Sequence, residues 1–250
     1  MTLQEFAQQI RRRADVVFFT GAGISTESGV PDFRSPGGIW TKYSPVYFDD
    51  FVSSEQARAR YWKMKRETHA LYKNVEPNIG HHSIASFERR GRLLGLITQN
   101  VDGLHGIAGV SPKKMVELHG TDRKVSCLGC GKEFDPDPIY ARLAEDIMPS
   151  PCDGCGGLIK PATISFGQPM PQAEMKRALE WSEAAAVFIV VGSSLVVQPA
   201  ASFPVIAKQS GALLAIVNRE PTPLDALADY NYRGAIREFF TALNPLLADG

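Results

Sequence analysis

The 250-residue sequence lacks an excess of either charge, with 27 Lys and Arg against 27 Asp and Glu. A balanced chain has no global field to draw nucleic acid or an anionic membrane surface, so any polyanionic partner needs a local site. It also lacks an apolar run near the roughly 20 residues of a membrane-spanning helix. The first residues, MTLQEFAQQIRRRADVVFF, place Gln and Glu ahead of the arginines, and the apolar run Val16–Phe19 is too short for a signal peptide. These absences predict a cytoplasmic protein with no membrane and no direct nucleic-acid partner. Internal repeats and low-complexity tracts are missing too. Cysteine is scarce, at four residues, but a chain of this length buries a sizeable core without staples. What remains is ordinary globular composition, 44% hydrophobic and 22% charged, fitting one large α/β domain or a domain plus a small insert.

Four short apolar runs read as buried parallel strands: Val16–Phe19, Leu93–Ile97, Val187–Val191 and Leu213–Val217. Each is too short for a helix and partly β-branched or aromatic. Each ends in small or polar residues (TGAGIS, TQN, GSS, NRE). Ligands of open parallel sheets bind beyond the carboxyl ends of the strands, so the four endings are expected to line one crevice. Amphipathic spacing predicts helices over Gln4–Arg13, Ser83–Arg90, Gln172–Trp181, Pro199–Gln209 and Ile236–Leu247. Two segments break this rhythm. Residues 36–78 carry WTKYSPVYFDDF and a basic helical run, and residues 121–160 carry every cysteine among Gly, Pro and Asp. Both read as insertions that together form a smaller lobe.

The cysteines form two C-x-x-C pairs, Cys127/Cys130 and Cys152/Cys155, each followed by a glycine that suits a zinc knuckle. Four thiolates match tetrahedral Zn²⁺ and leave no open position, so the expected metal is structural. The spacer of 21 residues slightly exceeds the usual zinc-ribbon range. The competing readings, two redox motifs or a disulfide pair, need an oxidising or thioredoxin-like context that the chain does not offer.

After the first strand comes Gly21-Ala22-Gly23-Ile24-Ser25-Thr26. Such a turn lets the backbone approach a pyrophosphate, although Thr26 stands where a dehydrogenase fingerprint has its third glycine. Further motifs follow in order: Gly29-Val30-Pro31-Asp32-Phe33-Arg34, Thr98-Gln99-Asn100-Val101-Asp102-Gly103-Leu104-His105, Val116-Glu117-Leu118-His119-Gly120 and Gly192-Ser193-Ser194-Leu195-Val196-Val197. With the four cysteines, this series resembles the sirtuin family of NAD-dependent protein deacylases, from about Ala14 to about Leu243.

The resemblance implies an α/β fold: a Rossmann-like parallel sheet with helices on both faces, and a small lobe made of a helical insert and a zinc ribbon. Over a single catalytic domain of residues 1–250, the large lobe would take 1–35, 79–120 and 161–250. The small lobe would take the helical insert 36–78 and the ribbon 121–160. NAD as co-substrate, one structural zinc and an acyl-lysine peptide are the implied partners. By motif position, Gly21, Ala22, Gly23, Thr26 and Arg34 would hold pyrophosphate and ribose. Gln99, Gly192, Ser193, Ser194, Asn218, Arg219 and Ala235 would serve the ribose and adenine side. Asn100, Val101 and Asp102 would surround the nicotinamide and its ribose, with Asn100 and Asp102 counted as catalytic. Phe33 would shield the reactive ribose carbon from water. His119 would take a proton from a ribose hydroxyl and so start acyl transfer, a task for an imidazole titrating near neutrality. The products would be nicotinamide, free lysine and O-acyl-ADP-ribose. The peptide would add as a strand between Gly167–Pro169 and Val196–Gln198, with Ile164, Phe166, Gly167, Val196 and Val197 in contact.

The remaining histidines carry blander expectations: His69 solvated on a charged helix, His81 and His82 in capping or surface roles, His105 in local packing. One departure from the family stands out: its usual Phe-Phe-Gly-Glu is Ser165-Phe166-Gly167-Gln168 here. The Tyr-x-x-Arg of those sirtuins that prefer malonyl- or succinyl-lysine is absent, because Met64 lies three past Tyr61 and Lys65 three past Trp62. Lys65 reads as an ordinary solvated helix charge, the alternative being that it reaches the lysine tunnel and partly replaces arginine so that some acidic acyl groups are accepted. The expected preference is for an uncharged acyl group. The rivals are an ADP-ribosyltransferase or NAD glycohydrolase on the same site, a dehydrogenase, and a zinc ribbon that binds nucleic acid. The last is disfavoured by Asp122, Asp135, Asp137, Glu145, Asp146 and Asp153 around the cysteines.

Overall fold

The computed structural model of the chain describes residues 1–144 and 148–248. Glu145 and Asp146, two of the acids just named, lie outside them. The described helices are α1 (Leu3–Arg12), α2 (Phe48–Ser53), α3 (Glu55–Lys73), α4 (Ile79–Arg89), α5 (Leu104–Ile107), α6 (Pro136–Ala144), α7 (Gln172–Ala184), α8 (Phe203–Gln209) and α9 (Ile236–Ala248). The strands are β1 (Val16–Thr20), β2 (Leu93–Thr98), β3 (Met115–Glu117), β4 (Gly120–Cys127), β5 (Glu133–Phe134), β6 (Ile159–Thr163), β7 (Val187–Val191), β8 (Leu213–Val217) and β9 (Tyr230–Tyr232). None of the described helices is long and apolar enough to cross a membrane.

A strand covered by helices on both faces has no polar side, so it reads as a continuous apolar run. That is why β1, β7 and β8, buried along their whole length, stand out in the sequence. Alternate residues of β1 feed opposite faces. Val16 and Phe18 pack with Phe6 and Ile10 of α1, Ile84 and Phe87 of α4, and Phe239 and Leu243 of α9. Val17 and Phe19 pack with Ala178 of α7 and Phe203 and Ala207 of α8. The six strands of this parallel sheet run β3-β2-β1-β7-β8-β9, a Rossmann-like order that reverses between β1 and β7. The edge strands β3 and β9 were not among the expected ones. Each has three residues, too few to leave a periodic signal.

Glycine inside a strand marks a close approach, and Gly95 on β2 is such a case. A Cβ there would sit 2.2 Å from the Trp181 ring of α7. Helix α4 starts at Ile79, before the expected Ser83, because Asn78 caps it: its side chain accepts from Gly80 N at 2.9 Å while its own N–H donates to His81 Nδ1 at 3.2 Å. The expected helix over Pro199–Gln209 is divided into a 3₁₀ turn, Ala200–Ser202, and α8.

A second, antiparallel sheet, β5-β4-β6, begins directly after His119. Its Val125, Cys127 and Ile159 share a core with Phe51 of α2, Tyr61, Trp62 and Met64 of α3, and Tyr140 of α6. Two expectations fail in this region. His69 is not solvated: its ring stacks on Tyr140 at 3.8 Å and its Nε2 lies 3.4 Å from Asp137, because α6 covers that face of α3. Lys65 is not a surface charge either. It is 7% exposed and donates to both carboxylate oxygens of Asp122, at 2.8 and 2.9 Å.

Candidate active site

The carboxyl ends of β1 and β7, neighbours at the point where the strand order reverses, interlock through their backbones. Gly21 N donates to Val191 O at 3.1 Å and Gly23 N to Gly192 O at 2.9 Å. A Cβ on Gly21 or Gly23 would come within 2.8 Å of Gly192. Gly192 itself has φ of +64°, and a Cβ there would stand 2.3 Å from Ile24 N. Only glycines on both turns allow this approach. It leaves peptide groups uncovered by side chains at the mouth of a cleft of about 860 Å³. That bare backbone fits a pyrophosphate.

Gly21, Ala22, Gly23, Thr26, Phe33, Arg34, Gln99, Asn100, Val101, His119, Gly192, Ser193, Ser194, Asn218 and Arg219 all line this cleft. So do Ile164, Phe166, Gly167 and Val197 on the expected peptide side. Three expected residues lie off it. Asp102 is buried behind the wall, Val196 is 53% exposed at the rim, and Ala235 sits between the lining residues Gly234 and Ile236.

His119 follows β3 and is held from both sheets. Its Nδ1 lies 3.1 Å from Gln99 O, and its own carbonyl accepts from Ile164 N at 2.8 Å. A carbonyl can only accept, so Nδ1 carries the proton and Nε2 is left with its lone pair. Burial, with Arg34 adding to it against the bond to Gln99, pulls the imidazole below its ordinary pKa. The ring is therefore neutral at pH 7, as a proton acceptor must be.

Behind His119 lies a buried polar network. Ser25 Oγ donates to Asp102 Oδ2 at 2.7 Å and accepts from Asn100 Nδ2 at 3.1 Å. His81 Nε2 is 3.3 Å from the same hydroxyl. Since His81 Nδ1 accepts from Asn78 N, Nε2 is its donor, and the network runs from the cap of α4 to the Asp102 carboxylate. Leu104 N completes the other oxygen of Asp102 at 2.9 Å. Desolvation raises the Asp102 pKa, against these hydrogen bonds. Asn100 Oδ1 is buried and has no partner, an acceptor that a ligand amide or hydroxyl would satisfy. His105 packs as expected, with Nε2 3.0 Å from Thr20 Oγ1. Sequence reasoning gave Ser25 no role and left His81 between cap and surface. The capping arm was legible in the Asn78-x-x-His81 spacing. The contact with Ser25, 56 residues away in sequence, left no local signal.

The loop after the glycine turn closes around Asp32, whose carboxylate accepts from Arg34 N, Ser35 N and Ser35 Oγ. This presents Phe33, its ring 5.3 Å from Trp40. Trp40 contacts Phe166 at 6.3 Å and Phe166 contacts Tyr47 at 5.9 Å, so an aromatic row runs from the cleft to the rim. Gln168 is not idle: its Oε1 accepts from Ser165 N at 3.1 Å and holds the turn that carries Phe166.

The four Sγ atoms of Cys127, Cys130, Cys152 and Cys155 lie within 4.8 Å of one another. The closest pairs, 3.4 Å for Cys127–Cys155 and 3.7 Å for Cys130–Cys152, approach the roughly 3.8 Å edge of a tetrahedron with Zn–S bonds of about 2.3 Å. Gly131 N donates to Cys127 O and Gly156 N to Cys152 O, two equivalent turns that aim each pair inward. The cluster is positioned to bind one zinc ion.

The Sir2 family model matches residues 21–199. The chain is 45% identical over 236 residues to NAD-dependent protein deacetylase 1 of Bradyrhizobium diazoefficiens, covering 94% of this chain and 92% of that protein. It is 39% identical to the NAD-dependent protein deacetylase of Thermotoga maritima, covering 96% of each. A Sir2 structure with p53 peptide and NAD+ superposes with a TM-score of 0.88 at 34% identity, over 98% of each chain. A Sir2 variant with deacetylated p53 peptide and 3'-O-acetyl ADP ribose reaches a TM-score of 0.90 at 36% identity, again over 98% of each. Family model, near-complete sequence similarity and shared fold agree, and the protein belongs to the Sir2 family, the sirtuins.

Proposed function

We propose that this chain is an NAD-dependent protein-lysine deacylase that moves the acyl group of an acyl-lysine to ADP-ribose and releases nicotinamide. The observation that carries this reading is a single cleft lined both by the Gly21–Gly23 crossing with Gly192 and by His119, whose bond to Gln99 O leaves Nε2 free. Relatives of the same family, named as NAD-dependent protein deacetylases along nearly the whole chain, support it.

NAD, when bound, supplies a ribosyl carbon activated by a neutral leaving group. The chain's own residues do the rest. The bare backbone of Gly21 to Gly23, with Thr26, Arg34, Ser193 and Ser194, would hold the pyrophosphate and adenine half. Asn100 Oδ1 would meet the nicotinamide half, oriented by Ser25 and Asp102. Phe33, backed by Trp40, would keep water from the reacting carbon. His119 Nε2 would take the proton of a ribose hydroxyl. Structures of relatives bound to acetylated peptide support a peptide substrate here, and we place it as an added strand along Gly167–Gln168 and Val197–Gln198. In this reading the six-stranded sheet and its helices act as the large lobe. The insert 36–78 and the cysteine segment 121–160, which share one apolar cluster, act as the small lobe that closes on the cofactor.

Mass spectrometry of an acetyl-lysine peptide incubated with and without NAD tests the reading. The expected result is acetyl loss only with NAD, with O-acetyl-ADP-ribose and nicotinamide in equal amounts. ADP-ribose without acetyl loss would instead identify a glycohydrolase, and an ADP-ribosylated peptide a transferase.

A further inference from the structure

Beyond His119, on the side of the small sheet, the cleft wall consists of Tyr61, Met64 and Lys65 of α3 with Thr163 and Ile164. It starts within a residue of the base, since Thr163 pairs with Gly120 and Ile164 N binds His119 O. Lys65 is the one lysine among the described residues that line the cleft. Its Nζ, however, is held bidentately by Asp122, and the two side chains are 9% and 2% exposed. Behind them Lys160, 1% exposed, donates to Pro161 O and Thr163 O. The Tyr61 ring is within reach of both ammonium groups, 5.7 Å from Lys65 Nζ and 5.4 Å from Lys160 Nζ, and its hydroxyl is 3.0 Å from Thr163 Oγ1.

We infer that Asp122 sets the acyl preference of this enzyme: by saturating Lys65 it makes this end of the cleft select acyl groups with an uncharged terminus. The inference rests on the deacylase reading above. An acyl chain ending in a methyl or an amide meets the Tyr61 ring and the Met64 thioether. One ending in a carboxylate meets an ammonium already neutralised, and places a second anion beside Asp122 where little water screens the repulsion. Without the Asp122 carboxylate, Lys65 would face the cleft with no anion, and the substrate's own carboxylate would become its partner. Discrimination is thus by charge rather than by length.

The test compares kcat/KM for one peptide carrying acetyl-, succinyl- or succinamoyl-lysine, the last having succinyl length with a neutral amide end. The wild-type protein is expected to process succinamoyl at least roughly tenfold better than succinyl, a floor set below the full cost of like-charge juxtaposition because Lys65 partly offsets the Asp122 charge. Asp122→Asn is expected to raise the succinyl-to-acetyl ratio by a similar factor, and adding Lys65→Met is expected to cancel the gain. Equal rates for succinyl and succinamoyl, including none for either, overturn the inference. So does a folded, zinc-loaded Asp122→Asn protein with an unchanged ratio. Should that variant not fold, the wild-type comparison decides alone. A wild-type protein that removes no acetyl with NAD sinks the deacylase reading instead, and calorimetric affinities for the three peptides then decide whether Asp122 selects by charge.

Discussion

An imidazole accepts a proton only at the nitrogen its surroundings leave bare, and at His119 one carbonyl makes that choice. His119→Ala should lower deacylation kcat by about 10²–10⁴-fold, the usual worth of a positioned base, while NAD titrations change little. Near-normal turnover would rule the base out. Because burial holds this ring below the ordinary histidine pKa, the neutral base persists into mild acid. The acidic limb of the kcat profile should therefore lie below pH 6.5, and a limb at or above that value would contradict the assignment. The buried His81 has the opposite meaning for stability. Desolvation brings its pKa down to about 3, so the unfolded chain takes a proton near 6.5 that the folded chain refuses. Stability is whole above that pH and falls below it, by roughly 2–3 kcal/mol from His81 alone at pH 4.5. Denaturant midpoints that stay flat from pH 7 to 5 would refute this.

At the scale of elements, the join between β1 and β7 is backbone against backbone, so it has no side chain that can move aside. Gly192→Ala combines a left-handed φ with a Cβ 2.3 Å from Ile24 N. It should cost on the order of 2–4 kcal/mol and weaken NAD binding together with thermal stability. Gly91→Ala, with nearly the same φ of +67° but open space around it, should cost only about 1–2 kcal/mol and leave NAD affinity alone. Matching losses in the two variants, read by thermal melts and NAD titration, would show that strain rather than the join is felt. The glycines of both turns were visible in the sequence. Their opposition was not, because they lie about 170 residues apart. The same distinction runs through the fold. Long buried strands announce themselves by an unbroken apolar run, and caps by a residue pair three apart. Three-residue edge strands and Ser25 between His81 and Asp102 carry no local signature. Lys65 misled for the same reason: a lysine is buried only where a partner awaits it, and Asp122 is 57 residues further on.

For the whole molecule, the cysteine cluster couples metal to fold. Metal analysis should find about one zinc per chain. Cys127→Ser or a strong chelator should unfold the β5-β4-β6 sheet and abolish turnover, since bound zinc here is folding free energy. A metal-free protein with unchanged activity would contradict it. The placement of the three tryptophans turns such events into separate optical signals. Trp181 lies against Gly95 on the large sheet, Trp62 is buried with Tyr61 and Tyr140 beside the cysteine sheet, and Trp40 borders the cleft between Phe33 and Phe166. With the other two replaced by Phe, emission from Trp40 should respond to NAD or peptide, and that from Trp62 should shift red on chelation. Trp181 should stay silent until the parallel sheet itself melts, so the native chain already contains a fluorophore for each of its working parts.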